Sequence, residues 1–173
     1  KRILFAKTLN SGQICLSPDY IFLKKGLENN FVSELKKTFS KFYNNNANDY
    51  TSMVNTTHYN RMQSYLDDAI KKGATVTSLG ELDSKEKNTI STKLIFGVND
   101  TMEVMKNEIF GPLLPVMLYE NLSEVLSSAE SNNVKKTICI GTDLETSLKS
   151  VEIAEKYDNV YATVGIHPHD SKN

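Results

Sequence analysis

Cysteine is scarce in this chain of 173 residues: only Cys15 and Cys139 occur, far apart in sequence. That excludes a disulfide framework, and no Cys–His spacing suggests zinc, so a reducing, cytoplasmic compartment is expected. Arginine is nearly absent as well. Of the 20 basic residues only Arg2 and Arg61 are arginines, leaving few bidentate clamps for phosphate or carboxylate. Excess charge of either sign is lacking, and a formal net charge of -1 sets up no global field toward nucleic acid or an anionic membrane. Long hydrophobic runs are missing too. The most apolar stretch, "IFGPLLPVMLY", is interrupted by Gly111, Pro112 and Pro115, so no membrane span is expected. The start at Lys1 shows no cleavage site for a signal peptide, and the missing initiator Met points to a processed chain or an internal piece.

What is present reads as globular: 39% hydrophobic and 24% charged residues, enough chain for one ordinary domain or two small ones. "YIFLKK" predicts a strand buried on both faces, because its apolar residues are continuous. Phe31, Leu35 and Phe39 form a helical stripe with Lys36, Lys37 and Lys41 on the wet side, and "NNNAND" reads as a loop. A second helix carries Met62, Leu66 and Ile70 on one face and stops at Gly73, a left-handed cap. "ATVTSL", "TKLIFGV" and "LLPVMLY" predict strands, and "NLSEVLSSAE" a helix that Asn121 can cap with Glu124 three residues on. "VKKTICIG" is a strand. Thr142 or Asp143 can cap a helix bearing Leu148, Val151 and Ala154, and "NVYATVGIHPHD" runs from a strand into a polar loop. Strands alternating with helices predict an α/β fold with a parallel sheet and right-handed crossovers.

The first chemistry-bearing stretch is "NSGQIC", Asn10 to Cys15. A thiol attacks as its thiolate, and a tight Gly-containing turn beside backbone N–H groups and a polar neighbour such as Asn10 or Gln13 can favour that form. The same N–H groups can receive the oxyanion that forms when sulfur adds to a carbonyl. On spacing alone, a cysteine between Ile14 and Leu16 is more often inert packing.

"AKTLNSGQICLSPDYIFLKK" resembles the nucleophile segment of the aldehyde dehydrogenase superfamily, Asn-x-Gly-Gln-x-Cys. "SPDY" and "HYNRMQSYLDDAIKKGATV" are similar to its coniferyl aldehyde dehydrogenase-like branch. "MKNEIFGPLLPV" carries the Glu-x-Phe-Gly-Pro element as Glu108, Phe110, Gly111 and Pro112. The resemblance covers residues 1 to about 130 and implies a partial catalytic domain. It makes Cys15 the nucleophile that adds to a small aldehyde; the resulting thiohemiacetal would give up hydride to NAD or NADP, leaving a thioester for water to cleave. Glu108 would hold the nicotinamide ribose and Phe110 would pack near the nicotinamide. From the residues alone, Glu108 is a surface carboxylate and Phe110 a core aromatic. In the family the general base, the oxyanion-hole asparagine and most of the dinucleotide platform precede the cysteine. The resemblance therefore implies a fragment inactive alone, or one completed by a separate chain.

"GIHPHD" places His167 and His169 just past a strand. Alone, His-Pro-His reads as a Pro-fixed surface turn. The longer stretch "NVKKTICIGTDLETSLKSVEIAEKYDNVYATVGIHPHD" resembles the early part of the TatD family of metal-dependent deoxyribonucleases. On that resemblance 134–173 is a short βαβ piece of a TIM-barrel-type hydrolase fused to the first piece near 129–134. That leaves a TatD-type hydrolase fragment or a non-catalytic fusion remnant as the alternatives to an aldehyde dehydrogenase-type fragment. It implies a divalent metal and DNA as alternative ligands, with His167 and His169 at an active-site loop. The first-strand metal motif of that family is absent, so no metal ligands are assigned.

Overall fold

A computed structural model of the chain describes residues 1–43 and 47–166. They fall into two compact units, Lys1–Glu120 and Asn121–Asn173.

In the first unit, helix α1 (Arg2–Thr8) is followed by strand β1 (Ile21–Lys24) and helices α2 (Glu28–Tyr43) and α3 (Thr56–Lys71). Strands β2 (Thr75–Ser78), β3 (Lys93–Phe96) and β4 (Leu113–Tyr119) complete a sheet of order β1-β4-β3-β2. β4 pairs parallel with both β1 and β3, while β2 pairs antiparallel with β3. The α/β class holds, but the sheet is mixed rather than wholly parallel. The reason lies in the connection. Parallel neighbours need a crossover, usually a helix, and the polar stretch between β2 and β3 supplies none. It reverses instead, closed by reciprocal Ser84–Thr89 backbone hydrogen bonds of 2.9 and 2.8 Å.

Helices cover both faces of the central strands. Ile95 and Leu113 join α3 residues Met62, Leu66 and Ala69 in one core, while Leu94 and Leu114 join Leu35 and Phe39 of α2 in the other. Successive residues of β3 and β4 thus enter opposite cores, which is why these strands read as unbroken apolar runs. β1 departs from that expectation. Ile21 and Leu23 pack toward α2, but Phe22 is 46% exposed on the other face. β1 forms one edge of the described sheet and is covered on one side. In α3 the buried face is Tyr59, Met62, Tyr65, Leu66 and Ala69, and Ile70 is exposed. The aromatic residues shift the stripe by about one position. Gly73 has φ 93, the left-handed stop expected after α3.

The second unit comprises helix α4 (Leu122–Ser131), strand β5 (Thr137–Ile140), helix α5 (Leu144–Ala154) and strand β6 (Val160–Thr163). β5 and β6 pair in parallel around α5, as the β-α-β pattern predicts. Asp143, not Thr142, is the N-cap. Its carboxylate accepts from Thr146 N at 2.8 Å, and Thr146 Oγ1 accepts from Asp143 N at 3.1 Å. Asn121 stands at the N-cap of α4 without capping the backbone, because its amide donates to Glu124 instead. The inward face of α5 is also not the expected one. Ser147 and Ser150 are buried while Leu148 and Val151 are exposed. The close approach to Gly141 demands it: a Cβ there would lie 2.5 Å from Ser147 Cα, so only a small residue fits opposite. His167 and His169 lie outside the described residues.

Candidate active site

The site is built on two loops of the first unit. After α1 the chain makes three successive residues with positive φ, Asn10 (49), Ser11 (55) and Gly12 (74). Left-handed backbone is costly for residues with a Cβ, so such a run persists only where its surroundings enforce it. Gln13 is the main fastener. Its amide nitrogen donates to Asn10 O (2.9 Å) and Ser52 O (3.1 Å), and its oxygen accepts from Val54 N (2.8 Å). Asn10 Nδ2 donates to Gln13 O at 3.2 Å. Both side chains are spent on holding the loop; neither has a bond to the sulfur. A turn closed by Ser17 N on Ile14 O (3.1 Å) then presents Cys15, which is exposed.

The second loop, Glu108 to Pro112, enters β4. Arg61 of α3 grips it by two carbonyls, donating from Nη1 to Glu108 O (3.1 Å) and from Nη2 to Ile109 O (2.7 Å). Its guanidinium also lies 5.3 Å from the centroid of the Tyr65 ring. Phe110 is held at φ 47. The two loops meet in three places. Gly12 lies against the Gly111 backbone, Asp19 Oδ1 accepts from Ile109 N at 3.0 Å, and Asp19 and Glu108 share one cavity wall. That cavity, about 130 Å³, is lined by Ile14, Cys15, Ser17, Asp19, Glu108 and Phe110. Across Phe110 lies a second hollow of about 390 Å³ that includes Gln13, Val54 and His58.

Cys15, Glu108 and Phe110, some 90 residues apart in sequence, therefore border one small space. Cys139 is half-buried in β5. Three contributors escaped the sequence reading: Arg61, Asp19 and Lys7. Arg61 had a signal, being one of only two arginines. Lys7 also had one, a lysine three residues from buried Leu4 on the same helical face.

Lys7 is buried, with Nζ donating to Pro18 O at 2.8 Å. Burial lowers its pKa to about 8, and the nearby Asp19 charge offsets part of that. The linkage has a definite sign. Between pH 8 and the ordinary lysine value the unfolded chain binds the proton and the folded chain does not, so stability rises with pH there. Tyr50, whose hydroxyl lies 3.0 Å from Thr92 Oγ1, is pushed up to about 12 by burial. Its contribution is lost as pH rises from the ordinary tyrosine value through about 12. Unfolding free energy should therefore climb from pH 8 to about pH 10, with Lys7 contributing on the order of 3 kcal/mol by pH 10.5. Urea titrations at stepped pH check this, and Lys7→Met should flatten the rise.

The thiol turn and the Glu-x-Phe-Gly-Pro loop, the two motifs that carry the sequence resemblance, thus meet on one α/β unit. The family model described as "Aldehyde dehydrogenase family" matches residues 1–165. The chain belongs to the aldehyde dehydrogenase family. It is 40% identical over 129 residues to a "Probable coniferyl aldehyde dehydrogenase" of Pseudomonas aeruginosa, covering 73% of this chain and 27% of that protein. It is 36% identical over 137 residues to the "Coniferyl aldehyde dehydrogenase" of a Pseudomonas species, covering 76% and 28%. In fold it is similar to a solved Staphylococcus aureus AldH in a substrate-bound state. There the TM-score is 0.70 and the identity 24%, over 96% of this chain and 36% of the other. The chain thus spans little more than a quarter of the length of these curated relatives.

The family match continues to residue 165, across the point near 130–134 where a change to hydrolase sequence was expected. The comparisons carry the aldehyde dehydrogenase assignment and not the TIM-barrel piece. Among the described residues no group of three or more His, Cys, Asp or Glu could hold a metal, and no helix is long and apolar enough to cross a membrane.

Proposed function

We propose that this chain is the thiol-bearing part of an NAD(P)-dependent aldehyde dehydrogenase, with Cys15 as its nucleophile. The observation that carries the reading is the shared cavity: an exposed Cys15 facing the loop of Glu108 and Phe110. In the proposed reaction the Cys15 sulfur bonds to the aldehyde carbon and leaves an oxyanion beside the turn's backbone N–H groups. Glu108 suits a ribose-holding role, because Arg61 fixes its backbone while its carboxylate stays exposed. Phe110, held at positive φ, forms a wall for the nicotinamide end. When bound, the dinucleotide supplies the hydride acceptor. The base that activates water for thioester hydrolysis, and the dinucleotide platform, belong in this reading to sequence outside the 173 residues or to a separate chain. The relatives favour a small aldehyde substrate of the coniferyl type.

We assign residues 1–130 to the partial catalytic domain. A TatD-type reading of 134–173 has its sequence motif and the parallel β5-α5-β6 unit in its favour, and the family match through residue 165 against it. Two free cysteines suit a reducing compartment such as the cytoplasm.

Labelling with limiting iodoacetamide, followed by peptide mass analysis, tests the nucleophile. Cys15 should be modified at least about tenfold faster than Cys139. Cys15→Ala should abolish the stoichiometric release of nitrophenolate from 4-nitrophenyl acetate. Preferential labelling of Cys139, or a burst that survives Cys15→Ala, would sink the proposal.

A further inference from the structure

The first unit buries two lysines and treats them differently. Lys93 is neutralised by Asp83 at 2.6 Å. Lys7, 1% exposed, has no carboxylate within ion-pair distance among the described residues; it donates to a backbone carbonyl, that of Pro18, at 2.8 Å. An ammonium buried without a close counter-charge destabilises a fold, and an apolar side chain of the same length would pack there at no such penalty. What the lysine gives is direction. Pro18 lies between Ser17, which closes the Cys15 turn, and Asp19, which accepts the Ile109 N–H of the opposite loop. Lys7 thus holds from the core side the segment whose outer side carries the sulfur.

We propose that Lys7 is a positioning residue for the Cys15 thiol, fixing the Ile14–Asp19 segment at the depth where the sulfur opens onto the cavity shared with Glu108 and Phe110. The inference rests on the reading of Cys15 as a nucleophile. It adds that the orientation of the thiol, as distinct from its exposure, is set by one buried lysine outside the cavity. The alternative is that Lys7 is a filler of the α1 face, and the two differ in what its loss should do.

The 173-residue chain is followed with two reagents. In acylation by 4-nitrophenyl acetate the thiolate sulfur bonds to the ester carbonyl carbon, the C–O bond breaks, nitrophenolate leaves and the thiol proton passes to solvent. That attack needs a defined approach to a carbonyl. Alkylation by iodoacetamide at high pH needs only an accessible thiolate. Lys7→Met should slow acylation at Cys15 by about tenfold, the order expected for a small misplacement of a reacting group. It should leave alkylation within about twofold and the unfolding midpoint at neutral pH unchanged or raised. Lys7→Gln, which retains a donor, should fall between the two. Acylation of Lys7→Met within twofold of the parent overturns the proposal. So does a parallel fall in acylation, alkylation and stability, the mark of a purely structural residue. Should Lys7→Met fail to fold, Lys7→Gln decides: acylation slowed at least threefold with alkylation unchanged supports the role, and parent-like acylation overturns it. If Cys15 of the parent chain is acylated no faster than Cys139, the nucleophile reading itself fails and this inference with it, before any variant is made.

Discussion

Gly12→Ala should lower the unfolding free energy by at least about 3 kcal/mol, more than a left-handed alanine alone would cause. The backbone at Gly12 has φ +74, and a Cβ built there lies 2.3 Å from Gly111 O and 2.8 Å from Gly111 C. Those are main-chain atoms, not the movable end of a side chain. Nor can Gly111 simply retreat, since the Met62 side chain packs directly against it: a Cβ at Gly111 would fall 2.4 Å from Met62 Sδ. The two loops would have to part, carrying Cys15 away from Glu108. Gly26 is the internal control, with φ +91 and nothing within 4 Å. Gly26→Ala should lose only about 1 kcal/mol, the strain without the overlap. Urea denaturation of both variants measures the difference. Equal losses would show that the loops do not touch at Gly12.

Phe39→Ala should destabilise the chain by about 3–5 kcal/mol, the usual range for deleting a fully buried aromatic ring. The ring is 1% exposed and packs between Tyr43 and Tyr50, with centroid separations of 4.9 and 5.7 Å. It also fills the space that a side chain at residue 80 would need, since a Cβ on Gly80 would lie 2.3 Å from its Cε1. Little can collapse into the hole, because Gly80 has no side chain to offer and Tyr50 is tied to Thr92. Phe22→Ala, at an exposed position on β1, should change stability by less than about 1 kcal/mol. Denaturation midpoints followed by circular dichroism compare the two. A Phe39→Ala loss no larger than that of Phe22→Ala would contradict the packing described.

Much of this architecture was legible in the residues because its determinants are local. The stripe of Leu35 and Phe39, the stop at Gly73 and the cap before α5 each follow from spacing or from one residue's preference. The thiol segment and the Glu108–Pro112 loop were legible as motifs, and the fold brings them to one cavity. What escaped was set by partners distant in sequence. The antiparallel pairing of β2 and β3 depends on a loop that reverses rather than crosses over. The inward face of α5 is chosen by the space at Gly141, which favours Ser147 over Leu148. Asn10 and Gln13 looked like neighbours of the thiol, yet their polar groups are committed to backbone at Ser52 and Val54 and within the turn. Arg61, Asp19 and Lys7 act through carbonyls and N–H groups, which no side-chain pattern displays.

The register of β1 has a consequence for the order of assembly. Ile21 pairs with Val116, a separation of 95 positions, whereas Ser78 and Lys93 pair across 15. Closing the longer span costs more chain entropy, and contacts of high sequence separation are formed late unless others bring them near. The β2–β3 hairpin and the α3 core can therefore condense while the segment carrying β1 is still free. β1 docks onto β4 only once that platform exists, and the residues immediately before β1 dock with it. On that order the Cys15 turn is set against the Glu108 loop after the rest of the first unit's sheet has formed. While β1 is undocked, Cys15 meets oxidants or alkylators without the Glu108 loop beside it, and damage to the thiol in that interval would be repaired by no later step of folding.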